Sequence, residues 1–551
     1  HGSVSVNNRK RVRGRDQPTS TGHGLLLFVV LVPLLVYGQS VQYDYVQADD
    51  ADLVLKNRLF ISQLGNIPNT FTRSYFEVDG ELNDQKTYYR PLVISSLILD
   101  TQLGSGEATV YHVTNVAMHT LVVFLLYSLL IAMQADRRVA VACALLFAVH
   151  PVNVQAVCWI VGRNDLLLAV WVLISMLSLI RFTRTNATTA LLGHLIAFAL
   201  ALFTKESAIM MLPLFVLFAW LWVGQSSFYL RHRSLLLGYG VILLGWYGLR
   251  QQALSGGDVF EVTTIRSLSQ TLFVNIPDLL VHTGKVVAPI RLSIMPSLDI
   301  TGLMLGVLAL GICATIFSRV LTPRRQVFVW GWFLLFLLPT LLVDEMPIYE
   351  HRAYVPLLGL CIGLSQIKIA EHTARRLHVV AVILLALFTV QTVRHSAVFT
   401  DRFTYWASAT NDSPYAPIAL VNLGQMEEER GRPGQAELHY RRALSLDPET
   451  PKANNNLGIV LMAKGDSASA KARFLEELRV NPENAETHFN LGLYNKLVGR
   501  IADAVPYWKS TLELNPYFVP AYQNLADYYH GIDDVATARY YESRLEALNA
   551  P

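Results

Sequence analysis

The chain has 551 residues, 52% of them hydrophobic and 16% charged, with 45 Lys and Arg against 42 Asp and Glu for a net charge of +3 and a mean hydropathy of +0.34. So small a charge excess, spread over short loops, excludes a nucleic-acid partner, and so apolar a composition above a polar C-terminal quarter excludes a wholly soluble protein. Cys143, Cys158, Cys313 and Cys361 lie in or beside apolar runs with no CxxC or Cys/His spacing, which excludes a disulfide framework and a zinc site.

A bilayer crossing needs about 20 mostly apolar residues. Such runs occur near 24–38, 110–133, 139–157, 165–181, 189–203, 207–224, 234–249, 300–318, 327–343, 354–370 and 378–394, which predicts an all-α, polytopic membrane bundle of about eleven helices. The first run, with a basic start, reads as an uncleaved anchor. The N-terminal "RKRVRGR", Arg137–Arg138, Arg181 and Arg184, Arg231 and Arg233, Arg319 with Arg324–Arg325, and Lys368 with Arg375–Arg376 then all fall on one side. Basic loops face the cytoplasm. Residues 1–23 are therefore cytoplasmic, 24–400 form the membrane domain with a first outer loop at 39–109, and 401–551 face a periplasm or lumen.

Residues 268–291 are apolar, yet a crossing there would invert every later basic loop. Within the outer segment 250–299 this stretch is expected to lie along or dip into the outer leaflet. Its Asn275, Asp278, His282 and Lys285 share one helix face, read as a solvated one or as part of a site.

From about residue 415 the pattern changes. "NLG" at 422–424, 456–458 and 490–492 and "NLA" at 524–526 recur every 34 residues, as do Ala436, Ala470, Ala504 and Ala538, and Pro448, Pro482 and Pro516. This is the tetratricopeptide period, predicting an α-solenoid of about four helix pairs that holds a peptide or protein.

Charges gathered at the outer ends of crossings default to a functional site. "YDYVQADDADLVLKN" supplies Asp44, Asp49, Asp50 and Asp52; "HPVNVQAVCWIVGRND" supplies His150, Asn153, Gln155, Arg163 and Asp165; Lys205–Glu206 and Glu350–His351–Arg352 follow. Carboxylates beside several cations, open to the membrane, suit a reaction between a lipid phosphate and a hydroxyl. An Asp accepts the hydroxyl proton while guanidinium and ammonium groups neutralise the departing phosphate. Arg163 with Asp165 as its orienting partner, or the two as a helix-locking ion pair, Lys205 and Arg352 are the candidate phosphate contacts. Tyr88 and Tyr89 are candidates to stack on a sugar, and His150 either takes part or shapes its turn. There is no Walker loop, HExxH or GxSxG.

The chain resembles the transmembrane and tetratricopeptide-repeat O-mannosyltransferase family and its bacterial relatives, glycosyltransferases of the GT-C class. The family's "FVxxDDxxxVxxN" is "YVQADDADLVLKN" here; "YRPL" is Tyr89 to Leu92; "YHxxNxxxH" is Tyr111, His112, Asn115 and His119; "LFAxHPxxxxAVxWxxGRxD" runs from Leu146 to Asp165; "KE" is Lys205–Glu206; and "ERxxYxPxxG" corresponds to "HRAYVPLLG". The resemblance implies a GT-C-like fold and a catalytic base at Asp49 or Asp50, leaving Asp44 and Asp52 as solvated loop charges. Arg90 and His351 join Arg163, Lys205 and Arg352 around the donor phosphate, with His150, Asn153, Gln155, Asp165, Glu206, Tyr89, His282 and Lys285 beside them. One departure stands out: the family's "HPxHxEAV" is "HPVNVQAV" here, so Asn153 and Gln155 replace an imidazole and a carboxylate that a divalent metal would want. No cofactor is therefore expected.

The expected function is transfer of a sugar from a polyprenyl-phosphate donor to a hydroxyl, with a protein acceptor reached through the repeats. The membrane is a bacterial inner membrane or, alternatively, an endoplasmic reticulum. The rival readings are a membrane scaffold that has lost catalysis and recruits partners through its repeats, and a transporter of lipid-linked sugars.

Overall fold

The computed structural model describes residues 21–78, 81–82, 88–224, 228–254, 265–290, 292–295, 300–342, 349–368 and 371–549. The basic run at 9–15 and parts of the predicted 250–299 segment lie outside them. The chain forms two compact units, one of residues 1–292 and 298–400, the other of residues 293–297 and 401–551.

Among the described residues, the regular structure of the first unit is helical apart from a two-residue ladder of β1 (Glu77–Val78) and β2 (Glu81–Leu82). α1 (Thr21–Tyr37) leads into the acidic loop, a π-helical turn at Ala51–Lys56 and the short α2 (Arg58–Ile61). α3 (Pro91–Gly104) follows, with proline at its first turn where the missing N–H costs nothing. Then come α4 (Ala108–Ala132), α5 (Arg137–Ala148), α6 (Val154–Cys158), α7 (Arg163–Thr185), α8 (Thr188–Thr204), α9 (Met211–Leu217), α10 (Phe228–Arg231) and α11 (Arg233–Leu254). α12 (Ile265–Val274), α13 (Ile276–Val287), α14 (Ile300–Val320), α15 (Pro323–Leu341), α16 (Tyr354–Ser365) and α17 (Glu371–Ser396) complete the unit.

Among the described residues, five helical stretches are long and apolar enough to cross a bilayer: Leu25–Gln42, Ala108–Ala132, Ile160–Thr185, Ile300–Val320 and Arg375–Phe399. The chain is an integral membrane protein. The predicted crossing at 139–157 is instead broken, because Pro151 cannot continue α5, and its two halves meet at 48°. The stretch predicted at 354–370 holds only the 12 residues of α16, which at about 1.5 Å per residue are too short to span a bilayer alone. The predicted first outer loop also contains a helix that hydropathy did not single out. α3 buries Val93, Ile94, Leu97 and Ile98 and packs against α4 and α8.

The 268–291 stretch is two helices, α12 and α13, and its polar face is not solvated: His282 is 1% exposed and Lys285 8%. A Cβ at Gly306 of α14 would sit 2.1 Å from the Leu280 carbonyl oxygen, so the bare glycine lets α13 lie directly on that spanning helix. Protein thus covers a face that would otherwise meet water. Cys143, Cys158 and Cys361 are buried and all four cysteines are free, as small core residues.

The second unit begins with α18 (Arg402–Asp412), capped by Asp401, whose carboxylate accepts from the Thr404 amide at 3.0 Å. Four helix pairs follow: α19 (Pro417–Glu429) with α20 (Pro433–Leu446), α21 (Ala453–Ala463) with α22 (Ser467–Val480), α23 (Ala485–Leu497) with α24 (Ile501–Leu514), and α25 (Val519–Gly531) with α26 (Val535–Asn549). Gly431, Gly465 and Gly499, each at positive φ, make the turn inside three pairs, and Asp533 at φ +59° makes the fourth. Ala436, Ala470, Ala504 and Ala538 are all fully buried at the pair contacts. The unit is a tetratricopeptide α-solenoid.

Candidate functional site

The acidic loop gives its two neighbouring carboxylates different fates. Asp50 is fully buried, one oxygen accepting from the Val46 amide at 2.9 Å and the other from the Ala48 amide at 2.8 Å. Between those amides Gln47 adopts a left-handed backbone, φ +53°. Successive N–H groups converging on one anion form a nest, and the Asp50 carboxylate holds that strained turn closed. Asp49 is half-buried and makes no hydrogen bond or ion pair among the described residues. Burial, reinforced by Asp52 and opposed by Arg90, lifts its carboxyl to about 6. Burial also lifts Asp50 to about 6, against the pull of its amide donors.

The two outer aspartates are loop charges. Asp44 is exposed, and Asp52 pairs with Lys56 at 2.7 Å. Tyr45 donates from its hydroxyl to the Gly106 carbonyl at 2.8 Å, and the Asp44 amide donates to the Thr400 carbonyl at 2.9 Å. The loop is thereby fastened to the start of α4 and the end of α17.

One cation, Arg90, acts on Asp49, and Lys205 and Arg352 act on each other or on Arg90. Arg90, at the start of α3, pairs with Glu206 at 3.1 Å and lies 4.4 Å from the Tyr88 ring and 5.0 Å from that of Tyr75. Lys205, at the end of α8, pairs with Asp165 of α7 at 2.7 Å. Burial lowers the Lys205 amine, and Asp165 counters it. Arg352 lies in the turn Glu350–Ala353 before α16, its guanidinium 5.5 Å from the Tyr349 ring. Tyr349 also feels the Asp49 charge. His351, on the same turn, is held well below the usual imidazole range by burial and then by Lys205, Arg352 and Arg90. Lys205, Arg352 and Arg90 thus all act on one imidazole, while Asp165 and Glu206 pair with two of them.

Several residues singled out in the sequence have other work. Arg163 is fully buried and pairs at 2.7 Å with Asp100 of α3, not with Asp165. It donates further to Ser96, Tyr111 and Ile160, so no edge of it is open to a phosphate. Arg163 and Asp165 stand two apart on one helix and cannot face each other. His150 caps the turn after α5, accepting from the Val152 amide at 3.3 Å, while its Nε2 lies 2.9 Å from the Val286 carbonyl oxygen. It shapes the helix break. Tyr89 is fully buried, its hydroxyl donating to the Phe71 carbonyl at 2.9 Å and its amide to Glu206 at 2.6 Å, so it is no sugar platform. Lys285 pairs with Glu350 at 3.1 Å, and His282 is buried beside them within reach of Lys285, Arg352 and Glu350.

Asp100 was not among the sequence candidates, and Glu350 was named only as part of the charge cluster with His351 and Arg352, without a role of its own. Asp100 sits on the unpredicted α3. Glu350 had one signal, its place two residues before Arg352 in "YEHRAYVP".

Residues 91–246 match the model of the dolichyl-phosphate-mannose-protein mannosyltransferase family, and residues 418–450 and 455–517 match tetratricopeptide repeats. Protein O-mannosyl-transferase F38B6.6 of Caenorhabditis elegans is 23% identical over 79% of this chain and 64% of its own length. Human protein O-mannosyl-transferase TMTC1 is 26% identical over 75% of this chain and 54% of its own. The chain is a relative of the TMTC O-mannosyl-transferases. It spans somewhat over half the length of these curated relatives. Among solved structures, ArnT of Cupriavidus metallidurans bound to undecaprenyl phosphate is similar over 84% of this chain and 80% of its own, at 13% identity and a TM-score of 0.42.

The departure at Asn153 and Gln155 can now be read in place. Asn153 is fully buried and donates to the Phe147 carbonyl at 2.7 Å, closing the end of α5. The Gln155 side-chain oxygen accepts from the His351 amide at 3.1 Å. A glutamate there would accept the same bond, so the substitution removes a charge and keeps the tie to the His351–Arg352 turn. Gly162 allows this arrangement: a Cβ there would fall 2.7 Å from the Gln155 carbonyl oxygen and 2.5 Å from that of Ala156.

Proposed function

We propose that this chain is a membrane glycosyltransferase that moves a sugar, mannose by the names of its relatives, from a polyprenyl-phosphate carrier to a hydroxyl, with serine or threonine of a protein as acceptor. Asp49 is the general base. The single observation that carries this is the division of labour in the acidic pair: Asp50 is spent on the backbone, while Asp49 keeps both oxygens free beside Arg90. As the acceptor oxygen bonds to the anomeric carbon, its proton passes to Asp49, and the bond from that carbon to the carrier's phosphate oxygen breaks. Arg90, Lys205 and Arg352 take up the charge of the departing phosphate, and their field needs no metal ion to complete it. The repeats hold the acceptor on the side of the membrane where the base lies. That side is a periplasm or an endoplasmic-reticulum lumen; the animal origin of the relatives supports the second.

The test is sugar transfer by the purified chain in lipid nanodiscs, from a mannosyl polyprenyl phosphate to a Ser/Thr-rich protein. Wild type is expected to transfer and Asp49→Asn to lose it. No transfer by wild type, or equal transfer by the variant, sinks the reading and leaves a scaffold in its place.

A further inference from the structure

Glu350 is almost wholly buried, 1% exposed, and both its oxygens meet cationic or protonatable groups from separate helices. Lys285 of α13 approaches one at 3.1 Å, and His395 near the end of α17 approaches the other at 3.1 Å. A buried carboxylate so bracketed contributes little net stability against an apolar packing of the same volume, yet it fixes geometry closely. What it fixes here is a single turn, Glu350–Ala353. One residue on, the His351 amide donates to Gln155 at 3.1 Å and the His351 ring stacks on Tyr349, centroids 5.5 Å apart and planes at 24°. Two residues on is Arg352, whose charge is coupled to Asp165 and Arg90. Residues two apart on such a turn point to different sides of it. Anchoring Glu350 between α13 and α17 therefore fixes the turn that carries His351, which feels Lys205 and Arg90, and Arg352, which feels Arg90 and Asp165.

We propose that Glu350 is a positioning residue for a polyprenyl-phosphate group, acting through Arg352, with Lys285 and His395 as its anchors; this rests on reading the pocket as the donor site. A clamp that merely joined three helices would affect the fold and leave ligand recognition independent of Arg352, so a double-mutant cycle separates the two.

The experiment uses the full chain in nanodiscs, with an unglycosylated polyprenyl phosphate as the binding probe and the mannosylated carrier for kinetics. Glu350→Gln is expected to raise the probe's Kd and the donor KM roughly tenfold, as loss of a charge-assisted contact does, with kcat changed far less. Arg352→Gln is expected to do the same, and the double variant to be no weaker than Arg352→Gln alone. Additive losses in the double variant, or an unchanged Kd in Glu350→Gln, overturn the inference. Should Glu350→Gln fail to fold, His395→Asn keeps the Lys285 pair and enters the same cycle with the same two readings. The function reading fails separately: if Asp49→Asn still transfers sugar while the cycle shows coupling, the base assignment falls and the positioning role stands.

Discussion

The two units solve opposite problems. The repeat unit meets one packing contact again and again: a Cβ on Gly424, Gly458 or Gly492 would fall 2.5, 2.5 or 2.2 Å from Tyr440, Phe474 or Trp508, positions advancing by the same step each time. At the fourth place Ala526 and Glu542 stand instead, so that contact is not repeated there. The described residues of the membrane unit show no such period. Arg163–Asp100, Lys205–Asp165, Arg90–Glu206 and Lys285–Glu350 are separate pairs, each joining different elements at its own depth. Periodic apolar contacts make a surface; single polar contacts make a site.

The sharpest break in that contrast is expected at the acidic loop. Asp49→Asn should cut transfer by about 10³-fold, the usual weight of a general base, while thermal unfolding of the purified chain stays as in wild type. Asp50→Asn should lower both, because it leaves the Gln47 turn without its anion. Next, Arg163→Met should destabilise the membrane unit by about 3–5 kcal/mol, since it strands Asp100 as a buried charge; denaturant unfolding in detergent measures it. Gly458→Ala should overpack Phe474 and cost about 1–3 kcal/mol. Hydrogen exchange should show that loss in α21 and α22 and leave the membrane helices unmoved.

Smaller still is the effect of pH. Only ionised Asp49 can take the acceptor's proton, and its carboxyl is raised to about 6. The pH profile of kcat/KM should therefore be flat above neutrality, fall to half near pH 6, and lose about tenfold per unit below. The smallest expected effect is none: EDTA should leave transfer unchanged, and a requirement for added divalent metal would show that the cations alone do not carry the leaving phosphate.

What the sequence disclosed follows the same division. The 34-residue spacing of glycine, alanine and proline was enough for the solenoid, because each repeat is a local helix pair that packs on its neighbour. The acidic loop and the Lys205–Glu206 and His351–Arg352 clusters were legible as charge where apolar runs end. Which carboxylate meets which cation was not, because it depends on contacts across long separations, such as Arg163 with Asp100. Nor was α3, which is too short for a hydropathy window and lay in what read as a loop. The α13 face read as solvated because amphipathic spacing is the same whether polar groups meet water or buried partners, and Glu350, the partner of Lys285, lies 65 residues away.

One missing methyl group governs more than its size suggests. Because residue 162 has no side chain, the strand of backbone leaving α6 folds back against its own carbonyls and delivers α7 at a fixed angle, with Asp165 on one side and the tie from Gln155 to the next turn on the other. Bulk added there would be felt at once by the lysine that Asp165 holds and by the arginine turn that Gln155 steadies. Position 162 thus works as a hinge pin on which the Lys205–Asp165 pair and the Gln155–His351 tie are kept in register.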